Sequence, residues 1–336
     1  MVKISVLILA HNNDRYIIQA IESVLKQKYS NYQIVIAIDE KNVDSKIQEK
    51  IEEYKKSRLN IEICYHCLKR VSEVRNSIMY NQQVTGEYLL FLDGDDYLAN
   101  ENVLGKINNY IKKNMSDIYI FDFFSEGLVR KKRNLNGGKS VYFPKYDKGD
   151  KISQILNNRL RLPNTVWQCV FKNQFIKNSE LVFNEKYYYG EDYDFVIRCL
   201  IKAENIEYVN EPIINYRLYN TTSLTNITSY NVVRSYILVS EDMYNMYSEA
   251  GRYSNYFIEL LANKYCNSII KVFKIDSQNE RYKIYKEVNI EILKKAKSAK
   301  YTIIKCVWKV FGYEFGNKIL SFLYYRIKSL YFNNKF

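Results

Sequence analysis

Between residues 4 and 93 the chain repeats one pattern, and that pattern limits the fold sharply. A nearly unbroken apolar run, Ile4 to Ala10, is followed by Tyr16, Ile17, Ala20, Ile21, Val24 and Leu25 at helical spacing. Gln33 to Ile38, Ile61 to Tyr65 and Tyr88 to Leu92 are further apolar runs, separated by helical patterns over Ile47 to Tyr54 and Val71 to Tyr80. Runs of this length without polar alternation read as strands buried on both faces. Strands alternating with helices predict an α/β fold, a mostly parallel central sheet with helices on both faces. His11-Asn12-Asn13-Asp14 ends the first run and offers Asn or Asp to cap the next helix.

The fourth run closes on Phe91-Leu92-Asp93-Gly94-Asp95-Asp96. Three carboxylates at the C-terminal end of a buried strand repel one another unless a positive group joins them. That end is also where open α/β sheets place their ligands. Mg2+ and Mn2+ take oxygen ligands and share them between one or two carboxylates and a substrate's phosphates. The motif therefore points to a metal–diphosphate site. A second reading is a polar turn in which Asp96 or Asn100 caps the next helix. Asp39-Glu40 ends the second run, and sheet connectivity can bring it to the edge that holds Asp93 and Asp95.

The 336 residues, 47% hydrophobic, suffice for one large domain with an appendage or for two domains. With 3 Pro and 11 Gly, no Pro- or Gly-rich linker separates them. Seventeen Lys and Arg but six Asp and Glu fall in 251–336, so +11 of the formal +13 sits there. A basic, aromatic-rich tail suits an anionic membrane surface. No nucleic-acid-binding signature accompanies it, which places nucleic acid below membrane as a partner. Met1-Val2-Lys3 runs straight into the first strand without a cleavage pattern, and no 18-residue apolar stretch occurs. A cytoplasmic chain, soluble or peripheral at the inner face of the cell membrane, is expected. Six scattered Cys, including Cys64 and Cys67 around His66, read as free thiols.

Ile118 to Phe124 predicts a strand. Arg130 to Lys139 reads as a basic hairpin tip, either a solvated loop or a contact for an acceptor or a lipid head group. Gly190-Glu191-Asp192-Tyr193-Asp194-Phe195 opens a helix through Val196, Ile197, Cys199 and Leu200. It is a second acidic cluster at a helix start, where Asp192 either caps or does chemistry. From about Thr228 the pattern is helical. Leu320, Leu323, Ile327 and Tyr331 share a face, and Lys318, Ser321, Arg326 and Lys328 lie largely off it. That segment is read either as a helix packed on the protein or a partner subunit, or as an interfacial membrane helix.

Taken in order, the motifs resemble family 2 glycosyltransferases. Ser5-Val6-Leu7-Ile8-Leu9-Ala10-His11-Asn12 and Ala20-Ile21-Glu22-Ser23-Val24-Leu25-Lys26-Gln27 look like the family's opening. Ile36-Ala37-Ile38-Asp39 resembles its second-strand V-x-D-D, and Val74-Arg75-Asn76 its A-R-N. Residues 86–96 are very close to its G-E-Y-x-x-F-L-D-x-D-D, and residues 190–195 resemble its E-D motif. The resemblance covers roughly residues 3–220. It implies the GT-A fold over 1–225, followed by a basic, aromatic-rich helical region over 226–336, and a role in capsular, exopolysaccharide or lipopolysaccharide synthesis.

Carried over by position, the resemblance places His11 against the nucleotide base, with Ala10, Asn12 and Gly94 completing the nucleotide-sugar site. Asp39 would hold the uracil and Arg75 would lie near the nucleotide. Asp93 would contact ribose and metal, Asp95 would be the main ligand of Mn2+ or Mg2+, and Asp192 the catalytic base, with Glu191 or Asp194 as substitutes. Leu9 and His11 replace the family's usual Pro or Thr and Tyr, and Asp39-Glu40 its Asp-Asp-Gly-Ser. Tyr216-Arg217-Leu218-Tyr219-Asn220-Thr221-Thr222-Ser223 stands where many members carry a His metal ligand, and it has none.

The implied reaction is an inverting displacement. An acceptor hydroxyl attacks the anomeric carbon of a nucleotide-sugar, with UDP favoured, while a carboxylate takes its proton. The implied acceptor is a saccharide or lipid-linked saccharide, and a homodimer through the helical tail stays open. A Rossmann dehydrogenase would need G-x-G-x-x-G after the first strand, and Ala10 to Asp14 contain no Gly. A nucleotidyltransferase would want a Gly-rich basic loop there, also missing. The alternative from another class is a non-catalytic glycan-binding or scaffold subunit of a polysaccharide assembly complex, which would have no need of Asp93, Asp95 and Asp192.

Overall fold

The computed structural model describes residues 1–10, 14–41, 43–58, 60–127, 129–134, 139–144, 151–218, 229–250, 253–275, 277–296, 302–312, 315–316, 318–320 and 322. They form two compact units. One joins Met1–Lys186 to Glu191–Ser223, and the other joins Tyr187–Gly190 to Leu224–Phe336.

In the first unit, β1 (Ile4–Ala10), β2 (Tyr32–Asp39), β3 (Ile61–His66) and β4 (Tyr88–Asp93) lie parallel in the order β3-β2-β1-β4. The crossovers are α1 (Asp14–Leu25), α2 (Ser45–Ser57) and α3 (Val71–Met79). Every residue of β1 and β2 is buried, which is why neither alternates in sequence. Ile4, Val6, Ile8 and Ala10 share a core with Ile17, Ala20 and Val24 of α1 and Ile51 of α2. Leu7 and Leu9 point the other way by strand alternation and are buried too, while α3 packs on β1 and β2. Both faces of the sheet are covered.

Beyond β4 the sheet continues through β9 (Cys169–Lys172), antiparallel to both its neighbours, to β6 (Ile118–Glu126) and the parallel β10 (Ile206–Arg217). Short antiparallel strands β5 (Tyr97–Leu98) and β8 (Val141–Phe143) pair with β10, and β7 (Lys131–Arg133) pairs with β6. The helices α4 (Val103–Asn114), α5 (Lys151–Asn157), α6 (Asn173–Asn178) and α7 (Glu191–Lys202) fill the connections. The result is a ten-stranded, mostly parallel mixed sheet.

Two expectations are corrected. The basic stretch is not simply a turn: Lys131–Arg133 form β7, while residues 135–138 lie outside the described set. Neither Asp96 nor Asn100 caps α4. Asp96 Oδ1 accepts the Arg217 amide at 2.9 Å, Asn100 Oδ1 accepts the Asn102 amide, and Asn102 precedes the helix.

The second unit is helical: α8 (Tyr230–Glu249), α9 (Asn255–Ile270), a 3-10 turn (Lys271–Lys274), α10 (Gln278–Lys286), α11 (Ile290–Lys295) and a further helix over 302–312. Ser229, Ser254, Ser277 and Asn289 cap the four named helices, each accepting amides of the first turn. Its core gathers Tyr265, Ile269, Leu293 and Trp308, and the Tyr265 hydroxyl accepts the Asn289 amide at 2.7 Å. The amphipathic segment expected over 319–331 lies mostly outside the described residues. Among the described residues no helix is long and apolar enough to cross a membrane.

Candidate active site

The chain runs outward from β1 to β2 to β3 and then returns to place β4 on the other side of β1. The carboxyl ends of β1 and β4 thus flank the point where strand order reverses, the crevice where such sheets bind ligands. Leu9 pairs with Asp93 across this point. Gly94 makes the approach possible. Its amide donates to the Leu9 carbonyl at 3.0 Å, and a Cβ there would sit 2.6 Å from that same oxygen. Any other residue would push the acidic loop away from β1.

The loop brings oxygens of Asp93, Asp95 and Asp96 within 4.8 Å of one another. Asp96 is buried, and its Oδ2 has no hydrogen-bond partner among the described residues. Burial first, then the charges of Asp95 and Asp93, push its carboxyl well above the usual carboxylate range, against the pull of Arg217. An all-oxygen donor set with one orphaned oxygen fits a hard divalent cation. Arg217, at the end of β10, flanks the cluster: its Nε donates to the Asp95 carbonyl at 2.6 Å. Its guanidinium lies 4.3 Å from the ring centre of Tyr16 and 4.8 Å from that of Tyr97.

Arg75 joins this loop to α7. It is buried on α3 and donates from Nη2 to Asp93 Oδ1 at 3.1 Å and from Nη1 to Glu191 Oε1 at 2.8 Å. Nη1 also pairs with Asp192 Oδ1. Burial alone would lower Arg75, but the charges of Asp192, Asp93 and Glu191 outweigh it and keep the guanidinium protonated. Asp192 Oδ2 accepts the Val166 amide at 3.2 Å. Burial pushes Asp192 up to about 7, with Arg75 pulling down and Glu191 and Asp93 adding to the rise. Glu191 is raised as well, chiefly by burial. Asp192 lies within the first turn of α7, and its oxygens are engaged by Arg75 and the Val166 amide. Asp194 pairs instead with Arg198 at 2.7 Å and stays out of the group.

The other expected residues are placed as follows. Ala10 ends β1, buried and paired with Ile38. Asp39 ends β2, buried, with Oδ1 accepting the Lys41 amide at 3.1 Å. Two strand spacings, roughly 10 Å, separate β2 from β4. His11 and Asn12 lie outside the described residues, as does the segment 219–223 where a His ligand is missing. Arg75, expected beside the nucleotide, has its guanidinium engaged by carboxylates. In sequence no individual chemical role falls to Asp96, one of the three carboxylates of the acidic motif, or to Arg217, which lies inside the stretch that lacks the His. Cys64 and Cys67 are free thiols, and among the described residues the acidic loop is the one group of three such side chains whose geometry could hold a metal ion.

Residues 5–168 match the family model described as Glycosyl transferase family 2. Among curated proteins the chain is similar to the uncharacterized glycosyltransferase EpsJ of Bacillus subtilis, 23% identical over 67% of this chain and 63% of that protein. An uncharacterized glycosyltransferase of Haemophilus influenzae is 25% identical over 80% of this chain and 96% of its own length. The chain thus spans less than two thirds of the first relative and nearly all of the second. Among solved structures it resembles residues 1–349 of Staphylococcus aureus TarS in complex with UDP-GlcNAc. The TM-score is 0.59 at 14% identity, covering 91% of this chain and 81% of that one, and the likeness extends to fold alone.

Proposed function

Residues 5–168 belong to glycosyl transferase family 2, and from that premise we propose that the chain transfers a sugar from a nucleotide-sugar, with UDP as the nucleotide, to a hydroxyl of a saccharide acceptor, inverting the anomeric centre. The observation that carries this reading is the junction of two acidic groups. Arg75 ties Asp93, at the end of β4, to Glu191 and Asp192, at the start of α7. One side of that junction suits a diphosphate with a divalent cation, and the other holds a carboxylate poised near neutral pH.

Asp95, Asp93 and Asp96 would hold Mn2+ or Mg2+. Bound there, the cation supplies Lewis-acid neutralisation of the leaving diphosphate. Arg217 adds fixed positive charge beside the same loop, and Asp39 at the end of β2 would take the base. Asp192 accepts the acceptor's proton as the hydroxyl oxygen bonds to the anomeric carbon and the carbon–diphosphate bond breaks. Its two oxygens keep lone pairs beyond those used by Arg75 and the Val166 amide. Arg75 and Val166 thereby aim the base. TarS, named a poly(ribitol-phosphate) β-N-acetylglucosaminyltransferase and solved with UDP-GlcNAc, supports UDP as the nucleotide and a polymeric acceptor. The charge of 251–336, with exposed Phe311, Phe315 and Phe322, supports an anionic membrane face as the place of work.

A thermal-shift panel of UDP, GDP, CDP and dTDP, with and without Mn2+, tests the donor site on wild type and Asp95→Ala. A ligand that binds only the native state raises its stability. Metal-dependent stabilisation by UDP that disappears in Asp95→Ala is expected. No shift with any nucleotide would favour a non-catalytic scaffold.

A further inference from the structure

One cavity plays no part in the donor chemistry. It measures about 800 Å3, within the range of sites for small ligands, and is lined in part by Thr165, Trp167 and Gln168 around a 3-10 turn over Val166–Gln168. The backbone amide of that turn's first residue, Val166, is the one held by Asp192. The cavity therefore adjoins the base.

Its lining includes Lys132, Arg133, Arg159 and Arg161 and no acidic residue. Lys132 pairs with Asp122 at 3.4 Å, and Arg133 donates to the Ser125 hydroxyl at 2.8 Å. Arg159 and Arg161 are exposed and make no ion pair among the described residues. Opposite in character are Trp167 and Tyr216, stacked at 5.3 Å, with Phe123 edge-on to Trp167 at 4.9 Å. Gln168 is 4% exposed; its Oε1 accepts the Thr165 hydroxyl at 3.0 Å. Its Nε2 is buried with no partner among the described residues, an orphan donor that a ligand oxygen would satisfy.

We propose that this cavity is the acceptor subsite and that it selects an anionic saccharide, one carrying phosphate or carboxylate groups. The inference rests on Asp192 acting as the base. The aromatic wall faces a sugar ring, Gln168 donates to one of its oxygens, and the arginines take the charge. A neutral glycan would desolvate those cations without compensation, so the same residues discriminate against it.

Calorimetric titrations in the presence of UDP and Mn2+ compare a phosphodiester-linked hexose oligomer, an oligogalacturonate and a neutral maltooligosaccharide of matched length. Wild type is set against the double variant Arg159→Asn, Arg161→Ala. Asn suits position 159, whose φ is 60°. At least one anionic oligomer should bind wild type more tightly than the neutral one and weaken with added salt. In the double variant it should lose roughly tenfold or more, as expected for charge-assisted contacts, and Arg159→Lys with Arg161→Lys should recover part of it. Which oligomer binds tells phosphate from carboxylate. No preference over the neutral oligomer, or affinity indifferent to the double substitution, overturns the proposal. The UDP-induced thermal shift of the same samples reads the donor site separately. Its absence in wild type counts against the donor reading and leaves the anion preference to stand or fall on the titrations.

Discussion

In the proposed mechanism Asp192 is the residue on which the chemistry turns, and its environment gives it a testable signature. Burial raises its pKa to about 7, so the group is half protonated near neutral pH. A general base works only when deprotonated. The kcat/KM of wild type should therefore climb with pH up to about 7 and then level off. Asp192→Asn keeps the shape and the contact with the Val166 amide oxygen-for-oxygen at one atom only, and should lose on the order of 10² to 10⁴ in kcat while UDP still raises its melting temperature. Stability moves the opposite way. The unfolded carboxyl titrates near 4, so the folded state binds the extra proton between about 4 and 7. The stability this proton contributes is complete below that window and lost as pH rises through about 7. Asp192→Asn should flatten the corresponding fall in melting temperature. An unchanged pH–rate profile in wild type and variant would remove Asp192 from the role of base.

Arg75 acts between elements. It sits on α3 and reaches β4 through Asp93 and the first turn of α7 through Glu191 and Asp192, contacts more than a hundred residues apart for the latter pair. Arg75→Met keeps much of the volume but leaves buried carboxylates without their counter-charge. Removing one partner of a buried ion pair costs about 3–5 kcal/mol. We expect a melting temperature lowered by several degrees at pH 8 and by less at pH 5, where the two α7 carboxyls are protonated more readily. A loss that is the same at both pH values would mean that Arg75 matters for packing, for instance on Phe183 at 5.4 Å, and not for charge. This tie also explains what could be read in advance. β1 to β4 and their helices were legible because strands buried on both faces appear as apolar runs. β10 was not, because Asn210-Glu211-Pro212 interrupts it where the register shifts against β6. β9 is only four residues long and β5 two. The acidic loop could be recognised from its letters, but the joining of Arg75 to Glu191 and Asp192 depends on a fold that local pattern does not encode. Arg217 was hidden for the same reason, carried to the acidic loop by the unrecognised β10.

At the scale of the whole chain, the charge is the feature that sequence shows most directly and that the fold leaves most open to use. Residues 251–336 carry +11 of the formal +13. In the described part of that region Ile303, Val310, Phe311, Phe315 and Phe322 are each more than 45% exposed. Cationic side chains among exposed aromatics suit adsorption to a lipid surface, where each Lys or Arg near an anionic leaflet contributes about 1 kcal/mol and apolar side chains enter the interface. The full chain should therefore sediment with phosphatidylserine-containing vesicles and remain in solution with phosphatidylcholine alone. Retention should fall as salt is raised from about 0.1 M to 1 M, because the screening length shrinks from about 10 Å to 3 Å. Phe311→Ser with Phe315→Ser should weaken binding even at low salt, which separates insertion from charge attraction alone. If neither vesicle retains the protein and the chain sediments at twice its monomer mass, the exposed aromatic face belongs to a dimer. A dimer would place the same residues between subunits, where added salt would leave their association nearly unchanged.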